Sequence, residues 1–188
     1  NIEKKVLEGS HIINNLLNYA RLKLPQYEPV NILDVLAESL ETVNSRFLTH
    51  MVEVEVNAGD MIAGLRIDAD PHQLGEVLTN VLTNAFQALP DRTGRVGVTV
   101  TAGDEWLEIL ITDTGTGIPA GALPRIYEPF FTTKSKGTGL GLTICSEVLH
   151  LHGGTLEIES TEGEGTMVRV RLPIKRRQGN GRGHSADR

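Results

Sequence analysis

Two side-chain amides are spaced so that they could bind one cation. Asn80 and Asn84 lie four residues apart in the segment 80–85, NVLTNA. In a helix this spacing places both amides on one face. Mg²⁺ takes oxygen ligands and usually keeps several waters and substrate phosphates, so an amide oxygen and a triphosphate form a suitable ligand set. A solvated polar helix face would show the same two residues, and this segment alone does not separate the two interpretations.

A carboxylate followed by glycines ends a predicted strand. Asp113 opens the segment 113–119, DTGTGIP. A carboxylate there could accept a hydrogen bond from an exocyclic amine, and the glycines would let the backbone pass close to a planar ring. A turn that contains Asp and Gly would look the same. The string is therefore weak evidence by itself.

A glycine-rich segment, 137–142, GTGLGL, leads directly into a predicted helix. Free N–H groups at a helix N-terminus, together with the positive end of the helix dipole, bind phosphate. The segment lacks the Gly-Lys-Ser/Thr ending of a Walker A motif, and it does not follow a strand as a dinucleotide fingerprint would. The alternative is a glycine hinge without a ligand.

The elements that would position these segments follow from apolar periodicity and turn residues. A three- and four-residue apolar spacing predicts helices, and apolar alternation bounded by Gly, Asp or Pro predicts strands. The predicted helices cover residues 2–24, 31–48, 70–89 and 139–152, with Asn31 as a helix N-cap. The predicted strands cover residues 51–56, 96–101, 106–112, 155–160 and 167–172, and 65–69 is a short apolar run. Strands grouped with helices predict an α+β fold, a two-layer α/β sandwich in which helices cover one face of a mixed sheet.

Composition limits the function classes. The 188 residues carry a net charge of -6, although the segment 175–188 is basic. An acidic body argues against nucleic-acid binding, which needs a basic surface. No stretch is apolar enough to span a bilayer, so we expect no membrane contact and a cytoplasmic location, while a longer parent could be membrane-anchored. The single cysteine, Cys145, is expected to be a small buried hydrophobe.

Taken in order, these segments resemble the catalytic domain of sensor histidine kinases. The resemblance also rests on the segment 128–134, EPFFTTK, and on residues 153–173. It covers residues 31–174 and implies the Bergerat ATP-binding fold of the GHKL superfamily. The run NAFQALP at 84–90 is similar to the nitrogen-regulatory subgroup, and it has Gln87 where many members have a basic residue.

The resemblance implies ATP and Mg²⁺ as cofactors and assigns the site residue by residue. Asn84 would be the Mg²⁺ ligand, with Asn80 beside it or facing the phosphates, and Asp113 would accept from the adenine amino group. Thr166 would support Asp113, and Lys134 would be a candidate phosphate contact from a loop. The remaining implied ATP contacts are Gly115, Gly117, Ile118, Thr133, Gly137, Thr138, Gly139, Leu140, Gly141 and Leu142.

Residues 1–24 are similar to the second helix of the dimerisation hairpin in this family, followed by a linker at 25–30 and, after residue 174, a basic disordered tail at 175–188. His11 is not expected to be the phosphoacceptor, because Ile12 and Leu16 stand where the acceptor box has an acid and a proline. We therefore expect the acceptor on a first helix before Asn1 and no self-labelling on His11.

The implied reaction is transfer of the ATP γ-phosphoryl to a histidine, for relay to an aspartate of a response regulator receiver domain, in a parent that is a homodimer. Two alternatives stay open. One is another enzyme of the superfamily, a serine kinase or a hydrolase; hydrolases carry Glu where Asn80 stands, and an amide is not a general base. The other is a nucleotide-binding module without catalysis, although the metal-binding Asn and the glycines are all present.

Overall fold

The computed structural model describes residues 23–59, 61–134 and 137–175. The predicted helix at 2–24, with His11, and the tail after residue 175 lie outside the described residues. The described helices are α1 (Ile32–Arg46), α2 (Pro71–Ala88) and α3 (Gly141–Leu151), with 3₁₀ turns at Pro90–Arg92 and Leu123–Arg125. The strands are β1 (Glu28–Val30), β2 (Met51–Ala58), β3 (Ile67–Ala69), β4 (Thr93–Ala102), β5 (Trp106–Asp113), β6 (Thr155–Thr161) and β7 (Gly165–Pro173).

Five strands form one mixed sheet in the order β2-β4-β5-β7-β6. Strands β2 and β4 are parallel, and the other neighbours are antiparallel. Alternate apolar residues of β4, β5 and β7 are buried in one core with the apolar faces of the helices. The opposite face of the sheet carries charged pairs such as Arg169 with Glu108 and Glu157. This confirms the predicted two-layer α+β fold.

Capping side chains set where the first two helices begin. The side chain of Asn31 accepts a hydrogen bond from the Leu33 N–H at the start of α1, as its predicted N-cap role requires. Asp70 does the same for α2, where it accepts from the N–H groups of His72 and Gln73. None of the described helices is long and apolar enough to cross a membrane.

Two details differ from the patterns read in the sequence. The segment 25–30, expected to be a linker, contains β1, which pairs with β3 in a separate two-stranded sheet. Helix α3 begins at Gly141 and not at Gly139, because Gly139 has φ 68°, outside the helical region. Cys145 is fully buried as expected, and this burial raises the pKa of its thiol to about 12.

A buried histidine ties the chain before α1 to the ends of two helices. His152 Nε2 accepts from the Asp70 N–H at 3.0 Å, while Nδ1 lies 2.8 Å from the Val148 carbonyl. Because a carbonyl only accepts, Nδ1 carries the proton and the imidazole is neutral. The Gln26 N–H donates to Asp70 Oδ2 at 2.8 Å, and the Tyr27 hydroxyl donates to a carbonyl of the last turn of α3. Residues 26–27 are thus docked where α2 begins and α3 ends.

We predict that stability falls in mild acid because of His152. Burial lowers the pKa of His152 in the folded protein, so folding favours the neutral ring. This contribution is complete above the unfolded-state pKa of about 6.5 and is lost as pH falls from there toward the folded-state pKa. His152→Phe should remove this pH dependence and cost about 1 to 3 kcal/mol at pH 8, because the Asp70 N–H loses its acceptor.

Denaturant unfolding at several pH values measures both effects. His150→Gln is the matched control, because His150 is exposed in the last turn of α3, two residues before His152. An unchanged pH profile in His152→Phe would contradict this role for His152.

Candidate functional site

The polar residues of α2 lie beside its buried face. Seven residues of α2 are buried in the core: Leu74, Val77, Leu78, Val81, Leu82, Ala85 and Phe86. Asn80 and Asn84 are partly buried, and Gln87 is exposed. Since residues three and four apart are neighbours on a helix, the amides of Asn84 and Gln87 are presented along one edge of α2, one turn beyond Asn80.

Asp113 ends the central strand β5 with its carboxylate held by the backbone. Its Oδ1 accepts from the Gly115 N–H at 2.8 Å. Burial raises the pKa of Asp113, and the backbone N–H groups of Gly115 and Thr166, with the nearby charge of Lys134, act in the opposite direction. Thr166 is paired with Asp113 across the strands, but its hydroxyl lies 3.0 Å from the Ser160 hydroxyl. Its contact with Asp113 therefore comes from the backbone.

Ser160 holds the loop that follows Asp113, although it was not among the predicted site residues. Its hydroxyl accepts from the Ile118 N–H at 2.9 Å and donates to the Gly165 carbonyl at 2.8 Å. Gly117 has φ 65°, and a Cβ there would overlap the Thr161 carbonyl. The loop is therefore fixed against the β6–β7 turn. A serine at the end of a strand carries no sequence signal for this role.

The glycine-rich segment brings the N-terminus of α3 to the amides of α2. Gly139, at φ 68°, accepts from the Phe130 N–H at 3.0 Å, and a Cβ there would overlap the Phe130 backbone. Helix α3 starts after Leu140 without a side-chain cap. A methyl group on Gly141 would lie 3.7 Å from Asn80 Oδ1. The first N–H groups of α3 therefore lie next to Asn80, and they can receive an anion.

Lys134 lies directly on the amide edge of α2. Its ammonium donates to Asn84 Oδ1 at 2.8 Å and to Gln87 Oε1 at 2.9 Å. Although Lys134 as a residue is exposed, burial around its ammonium lowers its pKa to about 8, and the charge of Asp113 opposes this shift. The oxygen of Asn84 thus faces a cation. Gln87 was not among the predicted site residues.

The other predicted site residues differ in what they can contribute. Leu140 is fully buried, so only its backbone can face a ligand. Ile118, Thr138 and Leu142 are partly buried, and Thr133 and Gly137 are exposed. A groove of about 390 Å³ between α1 and α2 reaches the site residues only at Asn80. The site is therefore defined by its polar groups and not by that groove.

Comparison of the chain with known proteins identifies its family. Residues 69–176 match the family described as histidine kinase-, DNA gyrase B- and HSP90-like ATPase. The chain belongs to this family. The matched residues include both amides, Asp113 and the glycine-rich segment, so the domain is an ATP-binding catalytic domain of the kind found in sensor histidine kinases.

The relatives found by comparison include proteins that are named as kinases. Sensor histidine kinase ZraS of Salmonella typhimurium is 32% identical over 170 residues, which are 90% of this chain and 36% of that protein. Sporulation kinase E of Bacillus subtilis is 33% identical over 87% of this chain and 22% of its own length. The chain thus spans about a third or less of these two relatives.

Solved structures show the same fold. A mycobacterial sensor histidine kinase, MprB, has a TM-score of 0.68 and 35% identity, covering 78% of this chain and 97% of that one. Full-length ShkA, solved in complex with AMPPNP, has a TM-score of 0.75 and 28% identity over 87% of this chain and 35% of its own. The fold predicted from the sequence is confirmed.

Two glycines with positive φ allow a test of the loop after Asp113. Gly163 has φ 84° with open space around it, whereas a side chain at Gly117 would also overlap Thr161. Gly163→Ala should cost about 1 to 2 kcal/mol, the cost of a left-handed residue. Gly117→Ala should cost a further ~1 to 3 kcal/mol from overpacking. Denaturant unfolding measures both, and equal costs would show that the approach of the loop to Thr161 is not tight.

Proposed function

We propose that this domain binds Mg²⁺-ATP and transfers the γ-phosphoryl to a histidine, as the catalytic part of a sensor histidine kinase. The observation that carries the proposal is the convergence of three groups: the Asp113 carboxylate, the Asn84 amide and the uncapped N-terminus of α3. Lys134 links the first two, because its ammonium contacts Asn84 and its positive charge acts to lower the pKa of Asp113. Phosphoryl transfer requires mainly alignment and charge stabilisation, and these groups supply both.

Asp113 is assigned to the adenine amino group. One carboxylate oxygen is used by the Gly115 N–H, which fixes the orientation of the carboxyl group. The other oxygen can accept from an exocyclic amine. Guanine presents a carbonyl at the position where adenine has its amino group, so a carboxylate there disfavours guanine.

The amide of Asn84 fits a magnesium ligand. Its oxygen already accepts from a cation, the Lys134 ammonium, at 2.8 Å. The described residues contain no group of three or more His, Cys, Asp or Glu suited to a metal. A site with one amide ligand is consistent with the coordination of Mg²⁺, which usually keeps several waters and binds substrate phosphates. Bound there, the metal would neutralise charge on the phosphates.

The phosphates are assigned to the start of α3, and Asn80 favours transfer over hydrolysis. The N–H groups after Leu140 have no side-chain cap and lie beside Asn80. A hydrolase needs a base to activate water, and an amide cannot accept a proton at neutral pH. We propose a response regulator receiver domain as the partner that receives the phosphoryl group next, and a homodimer for the full-length protein.

Asn84→Ala should abolish the tightening of ATP binding by Mg²⁺ while the fold stays intact, because Asn84 contributes its amide to the edge of α2 and not to the core. Isothermal titration calorimetry with ATP in EDTA and in Mg²⁺ measures the effect. Asn44→Ala, an exposed amide on α1, is the control. Unchanged Mg²⁺ dependence in Asn84→Ala would exclude Asn84 from the metal site.

Asp113→Asn should weaken ATP binding by about 1.5 to 3 kcal/mol, the value of a hydrogen bond to a charged group. The parent chain should bind GTP poorly. Competition against a fluorescent adenine nucleotide measures both affinities. Comparable affinities of the parent for ATP and GTP would mean that Asp113 does not read the amino group.

Transfer itself is tested with labelled ATP and an added helical hairpin that carries a family acceptor histidine. The expected product on the hairpin is acid-labile and base-stable, as a phosphoramidate is. Steady release of inorganic phosphate without labelling would favour a hydrolase instead. ATP binding with neither outcome would favour a module without catalysis.

A further inference from the structure

Two amide oxygens three residues apart on α2 hold a cation in this structure. The Lys134 ammonium donates to Asn84 Oδ1 at 2.8 Å and to Gln87 Oε1 at 2.9 Å. An ammonium has three donors and no acceptor, so both amides must present their oxygens to it. Asn84 and Gln87 together therefore form a cradle for one positive charge.

The two amides account for both hydrogen bonds that the structure shows for this ammonium. The ammonium stays at this position only if acceptors there bind its donors, and the two amide oxygens are those acceptors. Loss of either amide would leave the ammonium without half of its observed bonds.

We infer that Gln87 is a positioning residue that holds the Lys134 ammonium at the cation position beside Asn84. The inference rests on the proposed function and adds that Lys134 occupies the metal position when no metal is bound. Without metal, the lysine supplies the positive charge next to the phosphates. When a metal takes the Asn84 oxygen, the two cations repel each other at this short range, and the lysine leaves Asn84 while Gln87 keeps it at the rim of the site.

Lys134 and Gln87 should therefore affect how strongly ATP binding depends on Mg²⁺. In the parent chain, ATP binding without Mg²⁺ is supported by Lys134, and the gain on adding Mg²⁺ is correspondingly limited. Removing the lysine, or the amide that positions it, should weaken metal-free binding most. The gain from Mg²⁺ should then increase.

Calorimetry with ATP in EDTA and in Mg²⁺ tests this with isosteric variants. In EDTA, Lys134→Met should weaken ATP binding about tenfold, the lower range for a charge-assisted hydrogen bond. Gln87→Met should weaken it several-fold, and the double variant should be no weaker than Lys134→Met alone. Both single variants should lose less affinity in Mg²⁺ than in EDTA.

An exchange of the two side chains adds a readout that a purely structural role would not give. Gln87→Lys with Lys134→Gln puts the ammonium on α2 and the amide on the loop, and it should restore metal-free affinity to near the parent value. Gln26→Met and Lys175→Met are controls. Gln26 is docked at the start of α2, about 25 Å along the helix axis from Gln87.

Each outcome decides between the roles, once circular dichroism shows that the variants are folded. Unchanged metal-free affinity in Gln87→Met overturns the inference. So does a double variant weakened by the product of the two single effects, because the residues would then act independently. If the parent chain does not bind ATP, the proposed function itself fails. If the parent binds ATP more tightly with Mg²⁺ but Gln87→Met matches it, only the role of Gln87 fails.

Discussion

Burial of one face of α2 determines where the polar groups of the site can lie. Val81, Leu82, Ala85 and Phe86 are buried against the sheet and α3. Because of the helical period, Asn84 and Gln87 then lie at the edge of that buried face. Each of these apolar contacts is non-directional, but together they fix the rotation of α2 about its axis. The amides are placed with a precision that their own hydrogen bonds could not supply.

The sheet supplies the opposite side of the site by a similar constraint. Asp113 ends β5 between β4 and β7, paired with Val96 on one side and Thr166 on the other. Burial of the Asp113 carboxylate in the central strand raises its pKa. The hydrogen bond from the Gly115 N–H and the positive charge of Lys134 act in the opposite direction, because both stabilise the charged form. The cation bound to α2 therefore also stabilises the anion at the end of β5.

The sequence was sufficient to predict the three described helices, the mixed sheet and the segments that meet at the candidate site. Periodicity found α1 and α2, and the Asn31 cap marked where α1 begins, because these signals are local. It did not find β1, since a three-residue strand has too few residues to show alternation. Ser160 and Gln87 were missed for another reason. Their partners, Ile118 and Lys134, are 42 and 47 residues away, and only the fold brings them together.

The central claim is that ATP binds between Asp113, the amide edge of α2 and the start of α3. The most direct measurement is a backbone and side-chain amide NMR titration of the chain with Mg²⁺ and a non-hydrolysable ATP analogue. We predict saturable shifts at the Asn84 side chain, the Gly115 N–H and the first N–H groups of α3, and none on the open sheet face around Arg169. Shifts confined to the groove between α1 and α2, or to the open sheet face, would contradict the account.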